Sequence, residues 1–99
     1  MEVIKAVEPM FWLYDYSLAE SLSDMKQNYL VSTTEDDFEG SFEDFLDMAI
    51  QFDYKPIDAY YIVDDVEGDT AYFLTLEEAE EYINTYVEGV ITKVICPSL

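Results

Sequence analysis

Twenty-three carboxylates face only four cations, Lys5, Lys26, Lys55 and Lys93, in a chain of 99 residues with no arginine and no histidine, leaving a formal charge of −19. One-signed charge on this scale raises the free energy of any compact state through self-repulsion, so the chain must either stay unfolded or offset the cost by apolar burial. Half of the residues are apolar and sixteen are aromatic, whereas disordered acidic chains are poor in both. The composition therefore predicts a folded chain, residues 1–99 forming a single acidic domain too short for two independent cores.

The densest charge lies in Thr33 to Asp47, where Glu35, Asp36, Asp37, Glu39, Glu43, Asp44 and Asp47 occur without a lysine. Phe42, Phe45, Leu46, Ala49 and Ile50 recur at i, i+3, i+4, i+7 and i+8, the spacing of a helix with one anchored face. Ser41 followed by Asp44 reads as its capping box, and acids in the first turn complement the helix dipole. The stretch is read as a rigid array of charge. Two further groups repeat it: Asp64, Asp65, Glu67 and Asp69 in a turn, and Glu77, Glu78, Glu80 and Glu81 on a helix.

Around these groups, Glu2 to Val7 reads as a strand. Met10 to Tyr14 suits either a strand covered on both faces or the lead-in to a helix. Ser17 with Glu20 predicts a capping box for a helix carrying Leu18, Leu22, Met25 and Tyr29 to about Leu30, the least acidic of the three helices and mainly structural. Asp53 to Pro56 breaks the pattern, Ile57 to Val63 reads as a strand, and Thr70 to Leu74 returns from the acidic turn as a hairpin arm. Thr75 with Glu78 opens a helix burying Leu76, Ala79, Ile83, Tyr86 and Val87. Gly89 ends it, and Val90 to Cys96 closes the chain as a strand stopped by Pro97.

The expected order is β-α-α-β-β-α-β: an α+β domain with a mixed or antiparallel sheet of about four strands and three helices. The run from the second hairpin arm to the last strand looks like half of a split βαβ unit, pointing to a ferredoxin-like sheet with an added helix.

Several chemistries are disfavoured. Aligning Glu35, Asp37, Glu39 and Gly40 with a calcium loop puts Leu46 where a bidentate Glu is required, so no metal site is expected. Without a histidine base, an arginine or a Cys/His cluster, the chain reads as neither an enzyme nor a cofactor protein. Paired carboxylates such as Glu77 and Glu78 read as solvated surface rather than a glycosidase site. Cys96, alone among apolar neighbours, reads as a buried structural thiol with no disulfide. The apolar N-terminal run is interrupted by Glu2, Glu8 and Asp15 and is far short of about 20 residues, so neither export nor a membrane span is expected and the cytoplasm is the expected compartment.

The positive expectation follows from the excess of charge. Solubility needs a net charge of only about 2–8 on a small domain, and soluble surfaces normally mix the signs. A compact chain of this length is roughly 34 Å across, and that length of duplex DNA carries about 20 charges. The acidic groups are therefore expected to bind a basic nucleic-acid-binding protein, Glu35 to Asp47 as the principal surface and the turn and last-helix acids as a second patch, with tyrosines such as Tyr54, Tyr60 and Tyr72 supplying aromatic contact. Direct binding to nucleic acid or membrane is opposed by the same field.

In size, charge and mixed α/β pattern the chain resembles the small acidic proteins that phages and mobile elements use against restriction enzymes, CRISPR effectors or DNA-repair glycosylases. The resemblance implies a DNA-mimic inhibitor; it rests on no motif and transfers no functional residue. An immunity protein or antitoxin against a basic nuclease fits the same charge, as does a non-inhibitory interaction module, and a homodimer is compatible with the sequence. Whatever the partner, self-repulsion predicts that the melting temperature rises by several degrees between about 10 mM and 500 mM sodium chloride as the Debye length contracts; a flat or falling melting temperature in thermal scans would contradict it.

Overall fold

The computed structural model describes all residues, 1–99. Its elements are β1 (Glu2–Lys5), β2 (Met10–Leu13), a 3-10 turn (Tyr14–Tyr16), β3 (Leu18–Ser21), α1 (Leu22–Thr34), α2 (Phe42–Phe52), β4 (Tyr54–Ile57), β5 (Ala59–Asp65), β6 (Thr70–Phe73), α3 (Leu76–Thr85) and β7 (Gly89–Ile95). The expected α+β class with three helices and a mixed four-stranded sheet is observed, together with a second, three-stranded sheet.

In the larger sheet the order is β1-β7-β5-β6. β5 is antiparallel to both neighbours, while β1 runs parallel to β7. β6, α3 and β7 therefore form a split βαβ unit with β5 between the parallel strands, as the sequence indicates. The other half departs from the ferredoxin-like expectation. β1 lies antiparallel in direction to β5, and the chain between them builds the second sheet, order β3-β2-β4.

That second sheet corrects three readings. Leu18–Ser21 is a strand, not the first turn of a helix. The 3-10 turn ends at Ser17 in a left-handed conformation, φ 48°, and folds Leu18 back onto Leu13. α1 begins four residues later than expected, capped by Ser21 and Asp24 in a reciprocal box. Tyr54–Ile57 is also a strand, and it tolerates Pro56 because β4 is an edge. Asp58 then separates β4 from β5, splitting the single strand expected over Ile57 to Val63.

Alternation along β2 divides the interior. Phe11, fully buried, packs with Met25, Phe45 and Ala49 beneath α1 and α2. Trp12, on the opposite face, packs with Ile57, Tyr60, Val94 and Cys96 between the two sheets. α3 covers the far face of the larger sheet, where the Phe73 and Tyr82 rings lie 5.1 Å apart. Four layers result: α1 and α2, the small sheet, the large sheet, and α3. Their spacing of roughly 10 Å accounts for an elongated body, 45 × 24 × 20 Å with a radius of gyration of 15.3 Å, against about 13 Å for a compact chain of this length.

The N-terminus of α1 ties the layers together. The Leu22 N–H donates to the Pro9 carbonyl at 3.0 Å, the Ser23 N–H to Glu8 at 2.6 Å and the Asp24 N–H to Ser21 Oγ at 3.1 Å, so the first three free donors of the helix are all satisfied. The Ser23 N–H, then the Ser21 and Ser23 hydroxyls, hold the Glu8 carboxyl below its usual range. Because Phe11 fills the centre of a thin core, Phe11→Ala should cost about 3–5 kcal/mol. Denaturant unfolding checks this, and a loss below about 1 kcal/mol would contradict the packing described.

Candidate acidic interface

The loop from Glu35 to Ser41 is fixed from below. The Asp37 and Phe38 N–H groups both donate to the Ser32 carbonyl, at 2.9 and 3.3 Å. The Tyr29 hydroxyl donates to the Gly40 carbonyl at 2.8 Å. Phe38 turns inward and meets Tyr29 and Phe45 edge to face, with centroids 6.3 and 5.3 Å apart. Asp36 adopts φ 59° and Gly40 φ 138°. Aspartate tolerates the first, but the second favours glycine, and a Cβ on Gly40 would also press on Phe38 and Asp44.

Sequence order then settles the charges. With Phe38 directed inward, Glu35, Asp36, Asp37 and Glu39 around it are all exposed, as are Glu43, Asp44 and Asp47 on the first turns of α2. Asp44 also caps its helix. Its carboxylate accepts from the Ser41 N–H at 3.3 Å while its own N–H donates to Ser41 Oγ at 3.1 Å, the expected capping box.

The other two groups share one region. Asp64, Glu67 and Asp69 are exposed and Asp65 is half-buried; Asp65 accepts from the Glu67 N–H at 2.8 Å and fixes the turn. The turn rests on the segment after α3, where the Val66 N–H donates to the Glu88 carbonyl at 3.0 Å. Gly89 is required there for proximity rather than as the predicted helix stop, since a Cβ would lie 2.5 Å from the Asp64 carbonyl oxygen. Glu77, Glu78, Glu80 and Glu81 are exposed on α3. Only half of the expected box forms at Thr75 and Glu78: the Glu78 N–H donates to Thr75 Oγ1 at 3.3 Å, while the Thr75 hydroxyl, in place of its N–H, donates to the Glu78 carboxylate at 2.9 Å.

Between turn and helix stand tyrosines that the sequence did not single out. Asp65, Glu67, Glu88 and Tyr86 line one open depression of about 220 Å³. Glu78, Glu81, Tyr82, Tyr86 and Phe73 line a second of the same size. Tyr86, predicted to be buried, is 76% exposed, because α3 ends at Thr85 and Tyr86 leaves its apolar stripe. Tyr60, predicted as a contact, is buried, and Tyr54 is half-buried. The signal available for Tyr86 and Glu88 was their position just before Gly89, where a chain about to enter a strand must leave the helix.

The acidic groups therefore form two surfaces on opposite outer layers, one on the α1–α2 loop with α2 and one on α3 with the β5–β6 turn. No three acids or thiols converge closely enough to hold a metal ion. Of the perturbed groups, Tyr54 and Cys96 lie inside the fold. Burial, then the Glu20 carboxylate that accepts its hydroxyl at 3.2 Å, pushes the Tyr54 phenol up to about 12. Burial, then Asp58, pushes the buried Cys96 thiol up, which disfavours a reactive thiolate.

No protein-family model, no curated protein and no solved structure matches this chain. No helix is long and apolar enough to cross a membrane.

Tyr54 supplies a test of the packing beneath the first surface. Its ionisation is favoured in the unfolded chain, so its stabilising contribution is complete below pH 10 and is lost as pH rises towards 12. Absorbance titration of the wild type against Tyr54→Phe should assign to Tyr54 a phenol ionising near 12, and Glu20→Gln should bring it down; burial also raises the Tyr60 phenol. A Tyr54 phenol ionising near 10, the ordinary value, would contradict the assignment.

Proposed function

We propose that this protein is an acidic DNA-mimic inhibitor that occupies the nucleic-acid-binding groove of a basic protein, such as a restriction enzyme, a CRISPR effector or a DNA-repair enzyme. The observation that carries the reading is the fixed geometry of Glu35 to Asp47. Inward anchoring by Phe38 and three hydrogen bonds hold the exposed loop carboxylates on a defined support. A partner's lysines and arginines can pair with carboxylates held in this way without first ordering a flexible segment, which removes a cost that disordered acidic tails incur on binding.

The dimensions support the same reading. The body is 45 Å long, and that length of duplex carries about 26 charges, against 23 carboxylates and a formal charge of −19 here, with the acidic groups divided between two outer surfaces. Pairing would release the counterions gathered around these carboxylates, as binding to DNA releases those condensed on its phosphates, and affinity should fall steeply with salt. Half-buried Tyr82 and exposed Tyr86, beside Glu78, Glu81 and Glu88, add an aromatic surface suited to a protein cleft. These tyrosines equally favour an immunity protein gripping a basic nuclease outside its DNA groove. Action in the cytoplasm, where such nucleases work, is part of the proposal.

Replacing Glu35, Asp36, Asp37, Glu39, Glu43 and Asp47 by Gln or Asn should reduce capture of the basic partner at least 100-fold while the melting temperature holds or rises; Asp44 is retained for its cap. Saturating duplex DNA should displace the wild-type protein from that partner. Capture that survives both treatments would overturn the DNA-mimic reading, and displacement failing alone would favour the immunity reading.

A further inference from the structure

α1 was expected to be mainly structural, yet its last turns leave two consecutive apolar residues in solvent: Leu30 is 52% exposed and Val31 54%. Two open depressions meet at Leu30. One, of about 250 Å³, is walled by Lys26, Tyr29 and Phe42; the other, of about 270 Å³, by Val31, Thr34 and Glu35. Each is smaller than the roughly 300–1,000 Å³ of a small-molecule site, a size that suits one large side chain rather than a whole ligand.

The surroundings define the occupant. Glu35 forms one wall and leads directly into Asp36, Asp37 and Glu39, while Lys26 stands at the opposite wall with its ammonium 5.9 Å from the Phe42 ring centroid. Charge beside the notch is therefore negative towards the loop and positive only at its far end. A segment that seats an apolar side chain here must carry its own cations on the loop side. A second copy of this chain, at −19, would bring like charge to the same place.

We infer that the notch at Leu30 receives a leucine-like or aromatic side chain from a lysine- or arginine-bearing segment of the basic partner. This rests on the acidic face being the site for such a partner, and it adds a source of affinity that salt does not screen. Charge pairs steer and orient, while a desolvated apolar anchor supplies the slow dissociation.

Two synthetic peptides test it: a twelve-residue peptide of lysine and glycine, and the same peptide with one central leucine. The leucine peptide should bind the wild-type protein about tenfold more tightly, with the margin kept as salt is raised and with NMR shift changes at Tyr29, Leu30 and Val31. In L30S/V31S, whose altered positions are exposed and whose fold circular dichroism would verify, the two peptides should bind equally, at the affinity of the lysine peptide for wild type. Equal affinity for the wild-type protein, or a leucine preference that survives in L30S/V31S, would overturn the inference and leave the acidic face standing. If neither peptide binds at low salt, the acidic face and the notch fall together.

Discussion

Phe11 and Trp12 point to opposite faces of β2, and the rest of the molecule depends on that division. One side chain closes the core beneath α1 and α2, and the other closes the core between the sheets. Only twelve of 99 residues are buried, so no single core is thick enough to hold four layers, and β2 has to serve two. This is how a chain with so much like charge remains folded: apolar contact is concentrated on a few central positions, while charge is confined to the outside. No charged residue is fully buried, although some, such as Glu20 and Asp65, are half-buried, so the full cost of burying charge is avoided.

Confinement of charge to outer layers also shapes what the protein can present. Each outer layer has its own aromatic underlay, Tyr29, Phe38, Phe42 and Phe45 below one acidic surface and Phe73, Tyr82 and Tyr86 beside the other. Aromatic rings are large and stiff, with few side-chain torsions. Charges mounted on them keep their spacing, the property a polyanion needs if cations on a partner are to find it in a fixed register. Edge strand β1 differs in character. Val3 and Ile4 are exposed there next to Lys5, as is Val7 just after it, and the strand is short, as edges that avoid unwanted pairing often are.

Elements set by local periodicity could be read directly from the chain. α2 and its Ser41–Asp44 cap, the hairpin at Asp64–Asp69 and the split βαβ unit all follow from spacing within a few tens of residues. The small sheet could not be read that way. Leu18 lies four residues from Leu22, and Ser17 with Glu20 imitates a helix cap, so local signals favour a helix where pairing with β2 imposes a strand. In β4, Pro56 reads as a breaker until the strand is known to be an edge. The same limit applies to the interface. All the predicted acids are exposed except the half-buried Asp65, but which tyrosines accompany them depends on where α3 ends, and the exposed Leu30 and Val31 acquire meaning only beside Glu35.

The central claim is that a fixed outer layer of carboxylates is the surface a basic protein engages. Hydrogen exchange of the protein free and in complex with a captured basic partner tests it most directly. The account predicts slowed exchange across Glu35 to Asp47, with the segment around Leu30 included. Slowed exchange confined to β1 and the exposed Val7 that follows it, with the acidic loop unchanged, would contradict it.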